Sequence, residues 1–227
     1  KMKAEAEGIF LWAPEEVAKE VANLVKCGLR VVGGCCGTTP EYIALLSKEI
    51  KGLKPLKTEK KDTTVVSSYT HAVKFENKPI LIGERINPTG KKRFKQALID
   101  NDIDYILSEG EKQQEKGVHI LDVNVGLPDI DEEKMLENTV TALQGVTDLP
   151  LQIDSANITA MEKALRIYNG KAMINSVNGK KESMDAIFPL VKKYGGVVVA
   201  LTLDENGIPE KAEQRIDIAK KILNEAK

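Results

Sequence analysis

The sequence predicts an α/β fold of the (β/α)8 TIM-barrel type, with parts of two incomplete barrels joined by a linker. After residue 79, short apolar segments alternate with amphipathic helical segments, which is the pattern of a parallel sheet built from right-handed βαβ units. Polar residues follow the predicted strands at intervals of one βα unit, where barrels and open α/β sheets place their sites. A separate pattern of helix, strand, glycine-rich loop and helix occupies the first fifty residues.

The composition is that of a globular protein. The 227 residues are 42% hydrophobic and 30% charged, which excludes a disordered or fibrous chain. Lys and Arg number 33 against 34 Asp and Glu, so the basic surplus that nucleic-acid binding requires is missing. Apolar runs fall short of the roughly 20 residues that cross a membrane, and the charged start lacks the core of a secretory signal. We therefore expect a cytoplasmic protein with neither nucleic acid nor a membrane as partner.

The first fifty residues predict two helices around a glycine-rich loop. Pro14 suits a first helical turn, and apolar residues at helical spacing predict a helix from there to Cys27. A short strand at Leu29–Gly33 follows, and a second helix extends from Thr39 to about Lys51. So short a segment does not hold a core alone, and we expect further structure upstream of it.

Residues 53–78 are interpreted as an interdomain linker. The composition shifts there to lysines and a Thr/Ser cluster, without a sustained helical or strand period. A short strand at Ala72–Phe75 is compatible with this interpretation.

Residues 79–227 predict five βα units. The expected strands are Ile80–Ile82, Ile120–Val123, Leu151–Ile153, Ala172–Ile174 and Val197–Leu201. The helices between them carry apolar residues at helical spacing, and the last one, starting near Pro209, presents Ile216, Ala219 and Leu223.

The first turn of this region favours a barrel. Gly83–Gly90 matches neither the Gly-x-Gly-x-x-Gly turn of dinucleotide-binding sheets nor the P-loop. A closed barrel needs eight βα units over roughly 250 residues. Five units therefore predict an incomplete barrel, and we expect the chain to be a segment of a longer protein, cut at both ends.

The polar residues at the strand ends form the first candidate site. They are Glu84, Asp122, Asn124, Asp154 and Asn175. Side chains two residues apart on a strand share a face, so Asp122 and Asn124 can reach one ligand together. The alternative for each acidic strand end is an N-cap of the next helix, where Asp and Asn are favoured.

The segment Gly33–Pro40, with the sequence Gly-Gly-Cys-Cys-Gly-Thr-Thr-Pro, is the second candidate site. Adjacent cysteines on a regular strand point to opposite faces, and the flanking glycines permit a bend that brings Cys35 and Cys36 together. Two thiolates suit zinc, which takes three or four protein ligands, so a third ligand must come from elsewhere. The alternative is a pair of buried structural cysteines.

These motifs resemble a known enzyme family. Gly33–Pro40 looks like the zinc motif that closes the homocysteine-binding barrel of cobalamin-dependent methionine synthases. The motifs that are similar to the pterin-binding barrel of the same family are Gly83–Gly90, Leu121–Asn124, Gln152–Ser155 and Ile174–Ser176. Dihydropteroate synthases and methyltetrahydrofolate:corrinoid methyltransferases share the pterin motifs and remain alternatives, although the cysteine motif argues against both.

The resemblance implies domains and ligands. Residues 1–52 correspond to the C-terminal part of the zinc-dependent homocysteine barrel, and residues 79–227 to the first five βα units of the pterin barrel. Cys35 and Cys36 match two of the three cysteines that hold zinc in the family, and the third lies on an earlier strand absent from this chain. In the family, zinc activates the homocysteine thiol, and 5-methyltetrahydrofolate passes its methyl group to cob(I)alamin on a later domain, forming methylcobalamin.

The resemblance also implies roles for the strand-end residues. A reduced pterin edge presents neighbouring N–H donors, for which a carboxylate is the natural bidentate acceptor. Asp154 is the first candidate for this carboxylate and Asn175 for an amide at adjacent ring positions, with Asp122 and Asn124 in support. Asp122 and Asn175 are the candidate catalytic residues.

A loop of the resembled family contacts folate. The residues that match it are Glu84, Asn87, Gly90, Lys91 and Lys92. Lys91 and Lys92 are expected to meet the anionic part of folate, and their alternative is an exposed helix start.

Methyl transfer from a folate nitrogen requires that this nitrogen be protonated or hydrogen-bonded in the transition state. In the family, the groups closest to it include residues on later strands. We therefore expect a methyltransferase segment that is inactive alone. The non-catalytic alternative is a scaffold segment whose barrels are completed by another chain.

Overall fold

The computed structural model describes residues 3–4, 10–11, 13–57 and 63–227. The chain divides into two compact units, residues 1–62 and residues 63–227. Within the ranges just given, no helix combines the length and apolar character needed to span a membrane.

The described residues of the first unit form two short strands and two helices. Strands β1 (Lys3–Ala4) and β2 (Phe10–Leu11) pair antiparallel. Helices α1 (Pro14–Lys26) and α2 (Pro40–Ile50) each carry proline in the first turn, where its missing N–H costs nothing. They pack against each other, and their buried residues are Ala18, Ala22, Val25 and Leu46.

The predicted strand at Leu29–Gly33 is wrong. These residues have no regular secondary structure, and the Arg30 side chain donates from Nη2 to the Leu56 carbonyl at 2.7 Å. A strand exists only where a neighbour completes its hydrogen-bond ladder, and the described part of this unit pairs no strand with residues 29–33.

The second unit begins with a hairpin in the segment interpreted as a linker. Strands β3 (Val65–Ser67) and β4 (Ala72–Lys74) pair antiparallel. The backbone groups of Ser67 and Lys171 exchange hydrogen bonds of 2.9 and 3.0 Å, which fix the hairpin to the sheet that follows. β4 corresponds to the short strand expected at Ala72–Phe75, whereas β3 has no counterpart among the expected strands.

The core of the second unit is a five-stranded parallel sheet. Its strands, in spatial and sequence order, are β5 (Ile82–Ile86), β6 (Ile120–Val123), β7 (Leu151–Asp154), β8 (Met173–Asn178) and β9 (Val197–Leu201). The helices between and after them are α3 (Lys92–Ile99), α4 (Ile103–Glu115), α5 (Glu132–Val146), α6 (Ile158–Ile167), α7 (Lys181–Tyr194) and α8 (Ala212–Glu225). The predicted alternation of strands and helices around a parallel sheet is confirmed.

The two faces of this sheet differ in chemistry. The face that packs on the helices is apolar, with Leu121, Ile153 and Ile174 fully buried in the main core. On the opposite face, Ile120 and Met173 lie near the amino ends of their strands and pack with Val66 and Val73 of the hairpin. Towards the carboxyl ends, the same face becomes polar. The hairpin therefore closes the apolar end of this face and leaves the polar end as the candidate site.

Helix α8 buries a different side from the predicted one. Ile218 and Ile222 are 7% and 4% exposed, whereas Ile216 and Leu223 are 53% and 60% exposed. Both sets of residues occur at helical spacing, so periodicity alone does not choose between them. Contact with the neighbouring segment decides, since Ile218 lies against Gly179.

Candidate functional site

Asp122 is the most buried acid of the candidate site. It lies on β6, on the face turned away from the helices, and is 3% exposed. Its Oδ1 accepts a short hydrogen bond from Nε2 of Gln152 on β7. Burial raises the pKa of Asp122 to about 6, while the Gln152 hydrogen bond and the nearby amide of Asn175 on β8 favour the charged form. Asp122 is therefore a carboxyl group that gains and loses its proton near neutral pH.

Asp154 lies at the carboxyl end of β7, next to Asn124. Its Oδ2 accepts a 3.0 Å hydrogen bond from Nδ2 of Asn124. Burial raises the pKa of Asp154, the Asn124 hydrogen bond lowers it, and the nearby carboxylates of Glu84 and Glu132 raise it. The strand register also places Asp154 directly opposite Asn175. The sheet thus brings together residues from three consecutive strands.

The N-cap alternative for Asp154 is wrong. The cap of α6 is Asn157, whose Oδ1 accepts hydrogen bonds from the backbone N–H groups of Thr159 and Ala160 at 3.0 and 3.1 Å. Helix α5, which follows Asp122, is capped by Asp131. The acidic strand ends that point into the candidate site are therefore not needed to start the next helices.

Glu84, on β5 just before the loop that follows this strand, is coupled to this cluster. Glu84 raises the pKa of both Asp122 and Asp154 through its charge, and it forms a 3.1 Å ion pair with Lys91 Nζ. Lys91 Nζ also donates to the Glu84 carbonyl at 2.9 Å. Lys91 is thus tied to Glu84 rather than standing at an exposed helix start.

The other residues predicted for this loop have different surroundings. Asn87 is buried, and its Oδ1 accepts a 2.9 Å hydrogen bond from Thr89 N, which shapes the turn. Gly90 has a φ of +71°, a left-handed conformation that favours glycine. Lys92 is exposed and begins α3. In the described part of the chain, none of these three residues forms a hydrogen bond with Asp122 or Asp154.

The cysteine pair lies in the first unit and is exposed. The two Sγ atoms of Cys35 and Cys36 are 3.8 Å apart, and Cys35 N donates to Thr38 Oγ1 at 2.9 Å. The alternative of buried structural cysteines is therefore wrong. Tetrahedral zinc with bonds of about 2.3 Å holds two sulfur atoms about 3.8 Å apart, so the pair fits two corners of such a site.

A complete metal site is not present among the residues that the structure describes. Those residues include no group of three His, Cys, Asp or Glu side chains able to hold a metal ion. Cys27 is exposed at the end of α1, apart from the cysteine pair. The chain thus supplies two thiolates of suitable spacing.

Comparison with protein families gives two matches along the chain. Residues 2–50 match the family model of homocysteine S-methyltransferase, and residues 83–227 match that of the pterin binding enzymes. The second match covers well over half of the chain. The chain belongs to the pterin-binding enzyme family. The polar cluster of Asp122, Asn124, Asp154 and Asn175 lies wholly inside the matched range.

Relatives of this pterin-binding family member include two methionine synthases. That of Mycobacterium tuberculosis (strain ATCC 25618 / H37Rv) is 32% identical over 221 residues, which cover 93% of this chain and 18% of the relative. That of Mycobacterium leprae (strain TN) is 32% identical over 225 residues, which cover 93% and 19%. The predicted resemblance to methionine synthases is confirmed, and the chain spans about a fifth of the length of these relatives.

A solved structure supports the fold of the pterin-binding unit. The crystal structure of 7,8-dihydropteroate synthase from Vibrio fischeri ES114 matches with a TM-score of 0.51 and 15% sequence identity. The match covers 72% of this chain and 61% of that protein. At this identity the likeness shows the fold alone.

Gln152 is the residue of this cluster to which sequence reasoning assigned no role. Gln152 is 6% exposed, and its side chain hydrogen-bonds Asp122, which belongs to the buried polar residues of the site. The signal was present in the sequence, since a glutamine interrupts the apolar strand Leu151–Ile153 two residues before Asp154. Strand alternation places residues two apart on the same face.

Proposed function

We propose that this chain is the part of a methionine synthase that contains the end of a homocysteine-binding barrel and the first half of a barrel that binds 5-methyltetrahydrofolate. Residues 1–52 then belong to the first barrel and residues 79–227 to the second. The folate is the methyl donor, and cob(I)alamin, held by a different domain of the protein, is the acceptor. Homocysteine receives the methyl group and becomes methionine.

The observation that carries this proposal is the row of carboxylates and amides across β6, β7 and β8. Asp122, Asp154 and Asn175 occupy one face of the sheet at the carboxyl ends of three consecutive strands. Buried polar groups cost free energy unless they are paired, and such a concentration of them marks a binding site more often than a structural core. The family match over the same strands supports the pterin ring as the bound group.

The pterin chemistry assigns a role to each member of the row. The Asp154 carboxylate accepts the N–H donors at the amidine-like edge of the ring, with Asn124 holding its Oδ2 from the other side. Asn175, opposite Asp154, offers both an N–H donor and a carbonyl acceptor to the adjacent ring positions. Glu84, held by Lys91, lines the same edge of the sheet.

Asp122 and Asn175 are the candidate catalytic residues. The folate nitrogen is a poor leaving group, and it departs more readily when a hydrogen bond or a proton reaches it in the transition state. A carboxyl group with a pKa of about 6 holds a proton in part of the molecules at neutral pH, and Asp122 is such a group. The nearby Asn175 amide favours the ionised form of Asp122.

Cys35 and Cys36 supply two ligands to a zinc ion in this proposal. Zinc lowers the pKa of a coordinated thiol, so that homocysteine is presented as the nucleophilic thiolate. The 3.8 Å spacing of the two sulfur atoms suits shared coordination, and the bend at the glycine-flanked doublet provides it. The third ligand lies outside the residues that the structure describes.

A dihydropteroate-synthase-like enzyme is the second candidate function. The fold of the second unit favours it, since the Vibrio fischeri enzyme has the same arrangement of strands and helices. Against it stand the homocysteine S-methyltransferase match at residues 2–50 and the cysteine pair within that range. A corrinoid methyltransferase that lacks a homocysteine barrel is disfavoured on the same grounds.

Binding and turnover assays separate these functions. Calorimetric titration of the protein that carries this sequence should detect binding of 5-methyltetrahydrofolate. The compound 4-aminobenzoylglutamate, which lacks the pterin ring, should not bind. Added cob(I)alamin should then take up the methyl group, with the change in its absorbance spectrum as the readout. Formation of dihydropteroate from a hydroxymethyl-dihydropterin diphosphate and 4-aminobenzoic acid, with release of diphosphate, would contradict the proposal, as would equal affinity for the fragment without a pterin.

A further inference from the structure

Gln152 sits between two elements of the candidate folate site. It lies on β7, on the same face as Asp154, and its register partners are Asp122 on β6 and Met173 on β8. Its Nε2 donates a short hydrogen bond to Asp122 Oδ1. The amide therefore reaches across the strands to the most buried carboxylate of the row.

The other end of the same amide has no partner. Within the part of the chain that the structure describes, Gln152 Oε1 is buried and accepts no hydrogen bond. A buried acceptor without a donor costs free energy, which an apolar side chain at this position would avoid. Met173, the neighbour across the sheet, shows that an apolar side chain fits at this level of the face. The presence of glutamine thus needs a reason other than packing.

We propose that Gln152 is a positioning residue, whose amide N–H holds the Asp122 carboxyl group in the orientation used by the folate site. This inference rests on the proposed function. Gln152 itself acts through Asp122, because its Nε2 donates to the Asp122 carboxylate.

The groups that face Asp122 come from three strands. Gln152 and Asp154 belong to β7, Glu84 to β5 and Asn175 to β8. The Gln152 hydrogen bond and the nearby Asn175 amide favour the ionised carboxylate, whereas burial and the two acids oppose it. Loss of the Gln152 donor removes one of the two favourable contacts. The pKa of Asp122 should then rise further above 6.

The substitution Gln152→Met tests this inference with two readouts. The first is the pH midpoint of the Asp122 carboxyl carbon by NMR without ligand, which should move up by about one unit or more, as expected for a lost hydrogen bond to a charged group. The second is the dissociation constant of 5-methyltetrahydrofolate at pH 7.5, which should rise about tenfold. Gln152→Glu keeps the size of the side chain and should also raise the pH midpoint of Asp122. This second variant replaces Gln152→Met in the test if Gln152→Met does not fold.

Gln144→Met is the matched control. Gln144 Nε2 donates to the carbonyls of Val140 and Ile167, and its Oε1 accepts from Asn169 N, so its loss removes hydrogen bonds away from the site. It should leave both the midpoint and the affinity at wild-type values. An equal shift in the control would overturn the inference, because it would reflect general loosening of the fold.

The remaining outcomes distinguish this inference from the proposed function. Failure of the wild-type protein to bind 5-methyltetrahydrofolate would overturn the proposed function and, with it, a role for Gln152 in that site. Binding by the wild type together with unchanged affinity in Gln152→Met would overturn the inference alone. If the pH midpoint of Asp122 in Gln152→Met equals that of the wild type, the inference alone is likewise overturned.

Discussion

Asn124 connects three strands at the candidate site, and its side chain hydrogen-bonds the side chain of Asp154. Its Nδ2 donates a 3.0 Å hydrogen bond to Asp154 Oδ2 on β7, and its backbone N–H donates to the Ile86 carbonyl of β5 at 2.9 Å. Its Oδ1 accepts from Gly126 N at 2.9 Å, which shapes the turn after β6. One asparagine thus holds the turn and orients the carboxylate proposed to bind the pterin.

Asp154→Asn should weaken binding of 5-methyltetrahydrofolate at least about tenfold, because hydrogen bonds to a charged acceptor are worth roughly 1.5–3 kcal/mol each. Folding should be little affected, since α6 is capped by Asn157 and burial already disfavours the Asp154 charge. Calorimetric titration and urea unfolding measure the two quantities. Asp131→Asn, which keeps the cap of α5, is the control and should bind like the wild type. Unchanged affinity in Asp154→Asn would make Asp122 the leading pterin carboxylate.

Cys35→Ser should lower the zinc content of the protein that carries this sequence. A serine hydroxyl is a far weaker zinc ligand than a thiolate, and the 3.8 Å spacing of the cysteine pair suits one shared ion. Metal analysis after dialysis against a weak chelator provides the measurement. Cys27→Ser removes an exposed cysteine outside the pair and should retain the wild-type content. Equal zinc in Cys35→Ser and Cys27→Ser would refute the shared site.

Asp122→Asn should make the protein more stable than the wild type at pH 7.5 and about equally stable below pH 4. Burial raises the pKa of Asp122 from 3.8 to about 6, so the native wild type binds a proton more tightly than the unfolded chain does. The stabilisation that the wild type gains from protonated Asp122 is therefore fully present below pH 4. This stabilisation is lost as the pH rises through about 6. The gain should be about 3 kcal/mol at pH 7.5, since the pKa rises from 3.8 to about 6 and each pKa unit corresponds to about 1.4 kcal/mol.

Urea unfolding at several pH values measures this difference. Asp129→Asn, at an exposed loop position, is the control and should show no comparable pH-dependent gain. A stability difference between Asp122→Asn and the wild type that is the same at pH 4 and pH 7.5 would show that burial does not shift this carboxyl group.

Tyr168→Phe should destabilise the second unit by about 1–3 kcal/mol. The Tyr168 hydroxyl donates to the Ser67 carbonyl at 2.9 Å and accepts from Leu151 N at 3.0 Å, so it links the hairpin to β7. Its removal leaves a buried N–H and a carbonyl without this partner. Urea unfolding gives the free energy, and Tyr69→Phe, at a 60% exposed position, is the control and should match the wild type. Equal stability of the two variants would show that the hydroxyl does not hold the hairpin in place.

The sequence by itself determined the alternation of strands and helices and the residues at the strand ends. Val197–Leu201 was predicted with its observed bounds, because five consecutive apolar residues lie between a glycine pair and a polar residue. Asp122, Asp154 and Asn175 were predicted to lie together, since parallel strands bring their carboxyl ends to one edge. The motif resemblance identified the family, which the match over residues 83–227 confirmed.

The tertiary structure decided what depends on contacts between residues distant in the chain. Gln152 joined the site only when the register of β6 and β7 placed its amide against Asp122. The hairpin formed in the expected linker because Ser67 pairs with Lys171, 104 residues later. Asn157, rather than Asp154, caps α6 because the backbone turns after Ser155. Local sequence sets which side chains are available, whereas register and packing decide which of them meet.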